Sequence, residues 1–229
     1  MQKPNRKKLR VFLVRHGQSR GNVDKSVHTD MADHAIPLTQ EGKNQALSAG
    51  KWLFDYLSPK IGQETYKNIR LWHSPYKRTR ETASGLMEGG KNLFVNKVRE
   101  CPLLCEQQFG LFDGIPDDKL SEAFPQEYDY YEKQMKFKGR FWAPMPLGES
   151  RFDVYKRCHQ SFGSFQRDLD KHDVDNIIVV SHGTTNRAFT MAWLHKTPEW
   201  FDDEPRPDNC SIRLLEDSQD MGYIFKGFK

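Results

Sequence analysis

The sequence predicts an α/β fold, a mostly parallel sheet with helices on both faces and an inserted cap region, on three observations. The strand-like runs are short and wholly apolar, they alternate with segments of helical periodicity, and they end on polar residues followed by glycine or proline. Strands buried on both faces lose the alternation of a half-exposed sheet, and parallel neighbours need helical crossovers between them. Leu9–Val14 is the first β-type run, ending at Arg15-His16-Gly17. Thr39 is placed to cap a helix running to about Leu57, in which Ala46, Ala49, Gly50, Leu53 and Leu57 recur on one face. A short strand over Ile69–Trp72 is closed by His73-Ser74-Pro75, and a helix follows from about Lys77 to Met87. Between Cys101 and Pro146 the pattern changes to proline-punctuated loops and mixed aromatic and charged residues, with helices expected near 117–124 and 126–137. That stretch, about 101–147, reads as a cap over the sheet edge. Beyond it, Phe152, Tyr155, Phe162, Phe165 and Leu169 form a helical stripe after Gly148-Glu149-Ser150, and Ile177–Val180 is an apolar strand followed by Ser181-His182-Gly183. With no repeat and no Ser/Gly-rich linker, residues 1–229 read as one domain with a basic tail over 1–8.

Composition narrows the function. Of the 229 residues, 37% are hydrophobic and 12% aromatic, enough large side chains for a core that outweighs chain entropy. Five of the 35 basic residues (Lys3, Arg6, Lys7, Lys8 and Arg10) fall in the first ten positions, where there is no acid. Taking those five from the 35 leaves 30 against 31 acids, so the formal charge of +4 becomes −1 for the rest of the chain. A nucleic-acid binder carries its charge as a patch on the folded surface, and Glu122, Glu127, Asp129 and Glu132 interrupt the one basic, aromatic stretch. No nucleic-acid partner is expected. The longest apolar runs, such as Val11–Val14, are four residues, so neither a membrane span nor a signal peptide is expected. Cys101, Cys105, Cys158 and Cys210 then read as reduced thiols of a cytoplasmic protein. The Cys101/Cys105 pair lacks a second ligand pair, and no metal site or cofactor is expected.

Two histidines occupy equivalent places, each one residue beyond an apolar strand and just before a glycine: His16 and His182. Open α/β sheets bind ligands outside the carboxyl ends of their strands, so these distant residues become neighbours. A third strand end, at His73-Ser74-Pro75, leads into Arg78 and Arg80. The expected pocket holds two imidazoles, Arg15 and at least one further guanidinium, which makes a small oxyanion site. Phosphate suits it, because guanidinium groups donate paired, charge-assisted hydrogen bonds and helix N-termini add positive potential; sulfate and carboxylate satisfy the same donors. A neutral imidazole is a competent nucleophile toward phosphorus.

These residues resemble the histidine phosphatase superfamily, the phosphoglycerate-mutase-like enzymes. The resemblance is carried by Arg15-His16-Gly17-Gln18-Ser19-Arg20-Gly21-Asn22, by Pro37-Leu38-Thr39 with Gly42, Gln45 and Ala46, and by Ser74 to Ala83. Leu104-Cys105-Glu106 with Phe109-Gly110 and Gly114, then Gly148-Glu149-Ser150, and Ser181-His182-Gly183 with Arg187 complete the series over about residues 9 to 195. The resemblance implies that His16 attacks phosphorus and becomes a phosphohistidine. Arg15, Arg78 and His182 would hold the phosphoryl oxygens, assisted by Asn22 and the backbone around Gly183 and Thr184. Glu106 would protonate the leaving oxygen and later activate water, and Arg80 would stay on the surface. Glycine after His182 favours the branch whose proton donor lies on a separate loop. Mutases tend to have Arg after the acidic Glu and Tyr before the next Gly, where this chain has Gln107 and Phe109. The resemblance therefore implies a phosphomonoesterase acting on small phosphorylated substrates. Mutase-type phosphotransfer and a non-catalytic phosphate-recognising module are the alternatives. Phe109, Leu111 and Phe112, with Phe141 and Trp142 nearby, are expected to make the pocket tolerant of apolar or aromatic esters.

Overall fold

Val11, Phe12, Leu13 and Val14 are all buried in β1 (Arg10–Arg15), and the way their side chains divide sets up the layers of the molecule. The computed structural model describes residues 9–58, 69–91, 98–172 and 174–229, with Leu169 described by its backbone alone. The basic tail expected over 1–8 lies outside these residues. Val11 and Leu13 pack with Ile177, Val179, Phe165 and Phe189 on one side of the sheet. Phe12 and Val14 pack with Ile178, Val180, Leu53 and Leu86 on the other. β1 and the strand over Asn176–Ser181 each feed two cores, which is why their centres are continuously apolar.

The remaining elements follow in chain order. They are α1 (Arg20–Val23), α2 (Val27–Asp30), α3 (Gln40–Leu57), β2 (Ile69–His73), α4 (Lys77–Gly89), β3 (Val98–Glu100), α5 (Leu120–Ala123), α6 (Pro125–Lys138) and α7 (Arg151–His172). Then come β4 (Asn176–Ser181), α8 (Gly183–Leu194), α9 (Pro198–Asp203), β5 (Ile212–Glu216) and β6 (Gln219–Phe225). The sheet runs β3-β2-β4-β1-β5-β6, parallel from β3 to β1 and antiparallel at β5 and β6. Register aligns the strand ends that matter: Arg15 lies opposite Ser181, and His73 opposite Val180.

Thr39 caps α3 as its position predicts, its side chain accepting from Gly42 N at 2.9 Å. Gly42 has a second reason to be glycine, since a Cβ there would lie 2.0 Å from the Gln18 carbonyl oxygen. The loop after β1 is thereby pressed onto the start of α3. The strands β3, β5 and β6 are additions to the elements expected from sequence. β6 alternates too weakly to signal a strand, being polar at its start and broken by Gly222.

Residues 101–147 carry α5 and α6 and bury a small cluster of their own around Phe112, Leu120, Tyr131 and Ala143. Phe141 and Trp142 depart from the expected pocket wall. Phe141 is buried in the main core, with ring contacts to Phe152 and Phe201 at 6.2 and 5.6 Å, and Trp142 is 45% exposed. A run of adjacent aromatics does not reveal which of them the backbone turns inward. Among the described residues, no helix is long and apolar enough to cross a membrane.

Candidate active site

The backbone N–H of His16 donates to the Ser181 carbonyl at 3.0 Å, which fixes the residue where β1 and β4 end together. Its Nδ1 lies 2.7 Å from the Gly17 carbonyl oxygen. A carbonyl only accepts, so Nδ1 carries the proton and Nε2 the lone pair. The ring is buried, and burial followed by the charges of Arg78 and Arg15 holds its pKa well below the ordinary 6.5. The charged side chains that shift it most (Arg78, Arg15 and Arg206) are all cationic. The field at His16 is therefore positive, which keeps the imidazole neutral and attracts an oxyanion.

His182 packs edge-on against His16, with ring centroids 5.4 Å apart, and Tyr76 packs against His182 at 5.0 Å. Its Nε2 is 2.9 Å from Ser74 Oγ, while Nδ1 is buried without a hydrogen-bond partner among the described residues. Burial, then Arg78 and His16, hold this histidine well below 6.5 as well. Both groups thus have pKa values in the folded protein below those of the unfolded chain. As pH falls below about 6.5 the unfolded chain takes up their protons first, so this contribution to stability is complete above that pH and lost below it. NMR of the imidazole nitrogens is expected to show both rings still neutral at pH 6; a midpoint near 6.5 for either would contradict the burial argument.

Arg15 donates through Nη1 to the Pro207 carbonyl at 2.6 Å, and its buried Nε has no partner among the described residues. Burial and Arg206 lower its pKa to about 10. Arg78 sits in the first turn of α4, buried, its Nη1 2.7 Å from the Asp33 carbonyl oxygen and 2.8 Å from Oδ1, its Nη2 3.2 Å from Oδ2. This bidentate clamp orients the guanidinium. Asn22 Oδ1 accepts from Ser19 N at 3.0 Å and from Asn209 Nδ2 at 3.2 Å. With its oxygen so engaged, its Nδ2 remains as a donor. Arg15, His16, Asn22, Arg78, Glu106 and Gly183 all line one cleft of about 260 Å³, and His182 is wedged against His16.

Glu106 is placed by the N-terminus of α8. Its Oε2 accepts from Thr184 N at 3.3 Å, and its Oε1 accepts from Thr185 N at 3.2 Å, Thr185 Oγ1 at 3.2 Å and Gln107 N at 3.0 Å. Thr184 therefore gives its amide to Glu106, and its side of the helix lines a neighbouring cavity instead of this cleft. Arg80 lies outside the cleft, its exposed side chain paired with Glu100 at 2.7 Å.

Sequence reasoning missed two arginines. Arg206, held between Pro205 and Pro207, lines the cleft; its only sequence signal is a charge locked in a proline-bounded loop. Arg157, on α7, braces the loop that bears Glu106. It donates to the carbonyls of Leu103, Cys105 and Glu106 at 2.8, 2.7 and 3.0 Å and pairs with both carboxylate oxygens of Glu149. Glu149 in turn accepts from Gln108 N at 3.0 Å. The Gly148-Glu149-Ser150 motif is thus tied to the placement of Glu106. Arg157→Met removes five hydrogen bonds, strips Glu149 of its cation and leaves the Leu103 carbonyl unpaired among the described residues, while the Cys105 and Glu106 carbonyls keep only Thr185 Oγ1 and Gln108 Nε2. It is expected to cost about 3 kcal/mol of stability and, in protein that remains folded, to lower kcat more than it raises KM. Denaturant unfolding and steady-state kinetics check both; an unchanged kcat would remove the bracing role.

A family model described as "Histidine phosphatase superfamily (branch 1)" matches residues 11–225. The "Phosphoglycerate mutase-like protein AT74H" of Arabidopsis thaliana is 36% identical over 233 residues, covering 96% of this chain and 79% of that protein. The "Broad-range acid phosphatase DET1" of Saccharomyces cerevisiae is 25% identical over 296 residues, covering 90% and 84%. Among solved structures, the mycobacterial glucosyl-3-phosphoglycerate phosphatase in complex with VO3 superposes with a TM-score of 0.68 at 21% identity, over 90% of this chain and 92% of that one. YhfR of Bacillus stearothermophilus superposes at 0.66 with 21% identity over 96% of each. At these identities the structural likeness speaks for the fold.

Proposed function

From a chain that belongs to the histidine phosphatase superfamily, branch 1, we propose a phosphomonoesterase that hydrolyses small phosphorylated substrates through a phosphohistidine on His16. The observation that carries this reading is the tautomer: Nδ1 is committed to the Gly17 carbonyl, so Nε2 of a neutral ring offers its lone pair in a positive field. In the first step Nε2 bonds to phosphorus as the ester P–O bond breaks, and the Glu106 carboxyl gives its proton to the departing oxygen. In the second, water attacks phosphorus, the Glu106 carboxylate takes its proton, and the P–N bond breaks to release phosphate. Arg15, Arg78, His182 and Asn22, with the Gly183 amide at the start of α8, stabilise charge on the equatorial oxygens. Thr184 contributes by holding Glu106.

Phosphotransfer between substrate hydroxyls is the second reading, favoured by the mutase-like name of the Arabidopsis relative. Gln107 and Phe109 weigh against it. Incubation with 3-phosphoglycerate and a bisphosphorylated primer separates the two. Phosphate release, undiminished by a chelator and faster than isomer formation, is expected; faster isomer formation would overturn the hydrolase.

A further inference from the structure

Tyr76 is the N-cap of α4 and is 6% exposed, yet no apolar cluster of the described residues includes it. Its carbonyl accepts from Thr79 N and Arg80 N, each at 3.0 Å, and from Thr79 Oγ1 at 2.7 Å, so its backbone is pinned. The ring packs on the groups assigned to the phosphoryl oxygens instead of on the core. The Arg78 guanidinium lies over its face, 4.7 Å from the centroid, and His182 makes a T-shaped contact with it at 5.0 Å. His34, next to the Asp33 that clamps Arg78, packs against the same ring at 6.5 Å. The Tyr76 N–H donates to Ser74 Oγ at 3.3 Å, the hydroxyl that holds Nε2 of His182.

The hydroxyl reaches the other half of the site. Gln108 Nε2 donates to Tyr76 Oη at 2.6 Å and to the Glu106 carbonyl at 3.3 Å. The Gln108 backbone is itself fixed, its N–H donating to Glu149 Oε2 and its carbonyl accepting from Glu149 N. Burial pushes the Tyr76 phenol up to about 12, so it stays neutral around pH 7 and its oxygen serves as acceptor. Tyr76 does not line the cleft, so whatever it contributes passes through its neighbours. A cation over an aromatic face is held by the ring quadrupole, and the hold strengthens away from water. That part needs only the ring, whereas the contact with Gln108 needs the hydroxyl. We infer that Tyr76 is a positioning residue that couples the two halves of the site: its ring sets Arg78 and His182, and its hydroxyl, through Gln108, sets the loop that carries Glu106. The inference rests on the phosphomonoesterase reading and adds the residue that keeps the proton donor aligned with the phosphoryl-binding groups.

Two substitutions separate ring from hydroxyl. Tyr76→Phe keeps the ring and leaves Gln108 Nε2 with the Glu106 carbonyl alone. In single-turnover measurements it is expected to slow phosphorylation of the protein by an alkyl phosphate, whose leaving oxygen needs the Glu106 proton, by roughly 3- to 10-fold. Phosphorylation by para-nitrophenyl phosphate and the calorimetric affinity for inorganic phosphate are expected to stay within about twofold of wild type, because the ring is still there. Tyr76→Leu removes the ring as well; it is expected to weaken inorganic phosphate roughly 3- to 30-fold and to slow both esters. Tyr76→Phe that slows both esters equally, or neither, would overturn the coupling, and so would Tyr76→Leu with wild-type affinity for phosphate. A purely structural residue would lower the melting temperature and leave the ratio of the two ester rates unchanged. Tyr76→Phe preserves the shape of the side chain and carries the test even where the leucine variant does not fold. Wild-type protein that cleaves neither ester would remove the phosphatase reading. In that case weakened phosphate binding by Tyr76→Leu would still support the ring's hold on Arg78 and His182, and unchanged binding would overturn it.

Discussion

His16→Ala is expected to lose roughly 10⁴- to 10⁶-fold in kcat, the scale on which nucleophile deletions in covalent catalysis fall. The size follows from the site's geometry. His182 does not take over as nucleophile, because its Nε2 is held 2.9 Å from Ser74 Oγ and its fully buried ring packs edge-on against that of His16 without lining the cleft. The variant keeps Arg15, Arg78 and the start of α8, so it is expected to bind phosphate esters and to fold. A thermal melt and a binding isotherm beside the rate measurement separate loss of chemistry from loss of structure. Wild-type turnover in His16→Ala would end the covalent mechanism.

Glu106→Gln is the second large effect, and its signature is a change in which step limits. Removing a general acid and base costs roughly 10²- to 10⁴-fold. The two steps divide that loss according to the leaving group. A nitrophenolate departs without a proton, so phosphorylation of His16 proceeds, while hydrolysis of the phosphohistidine loses the base that activates water. With para-nitrophenyl phosphate the variant is expected to release one equivalent of nitrophenolate in a burst and then turn over slowly. With an alkyl phosphate both steps suffer and no burst forms. Gln keeps one oxygen for the Thr185 and Gln107 amides and loses only the acceptor of the Thr184 amide, while Arg157 still braces the backbone, so the loop stays in place. A steady rate close to wild type on the alkyl ester would assign Glu106 a structural role only.

What was legible in the sequence is what is local. Val11–Val14 reads as a doubly buried strand because both faces of the same short run must be apolar, and Thr39 reads as a cap because its hydroxyl accepts from an amide three residues on. His16 and His182 could be paired across the chain because strand ends in a parallel sheet gather on one edge, as the Arg15–Ser181 register shows. What was hidden depends on partners far apart in sequence. Arg157 braces carbonyls some fifty positions earlier, Arg206 reaches the cleft from a loop near the C-terminus, and the Thr184 amide is spent on Glu106. β5 and β6 escaped notice for a related reason. They are stabilised by β1 and by each other, and β6, half-exposed and interrupted at Gly222, carries little pattern of its own.

The covalent intermediate is open to direct observation. Wild-type protein turning over a radiolabelled phosphate ester can be quenched in alkali, digested and mapped. An acid-labile label on the peptide that contains His16, lost to free phosphate on chasing and missing from His16→Ala, is the predicted result. Label on another residue, or sustained hydrolysis with no phosphate on the protein at any time, would contradict it.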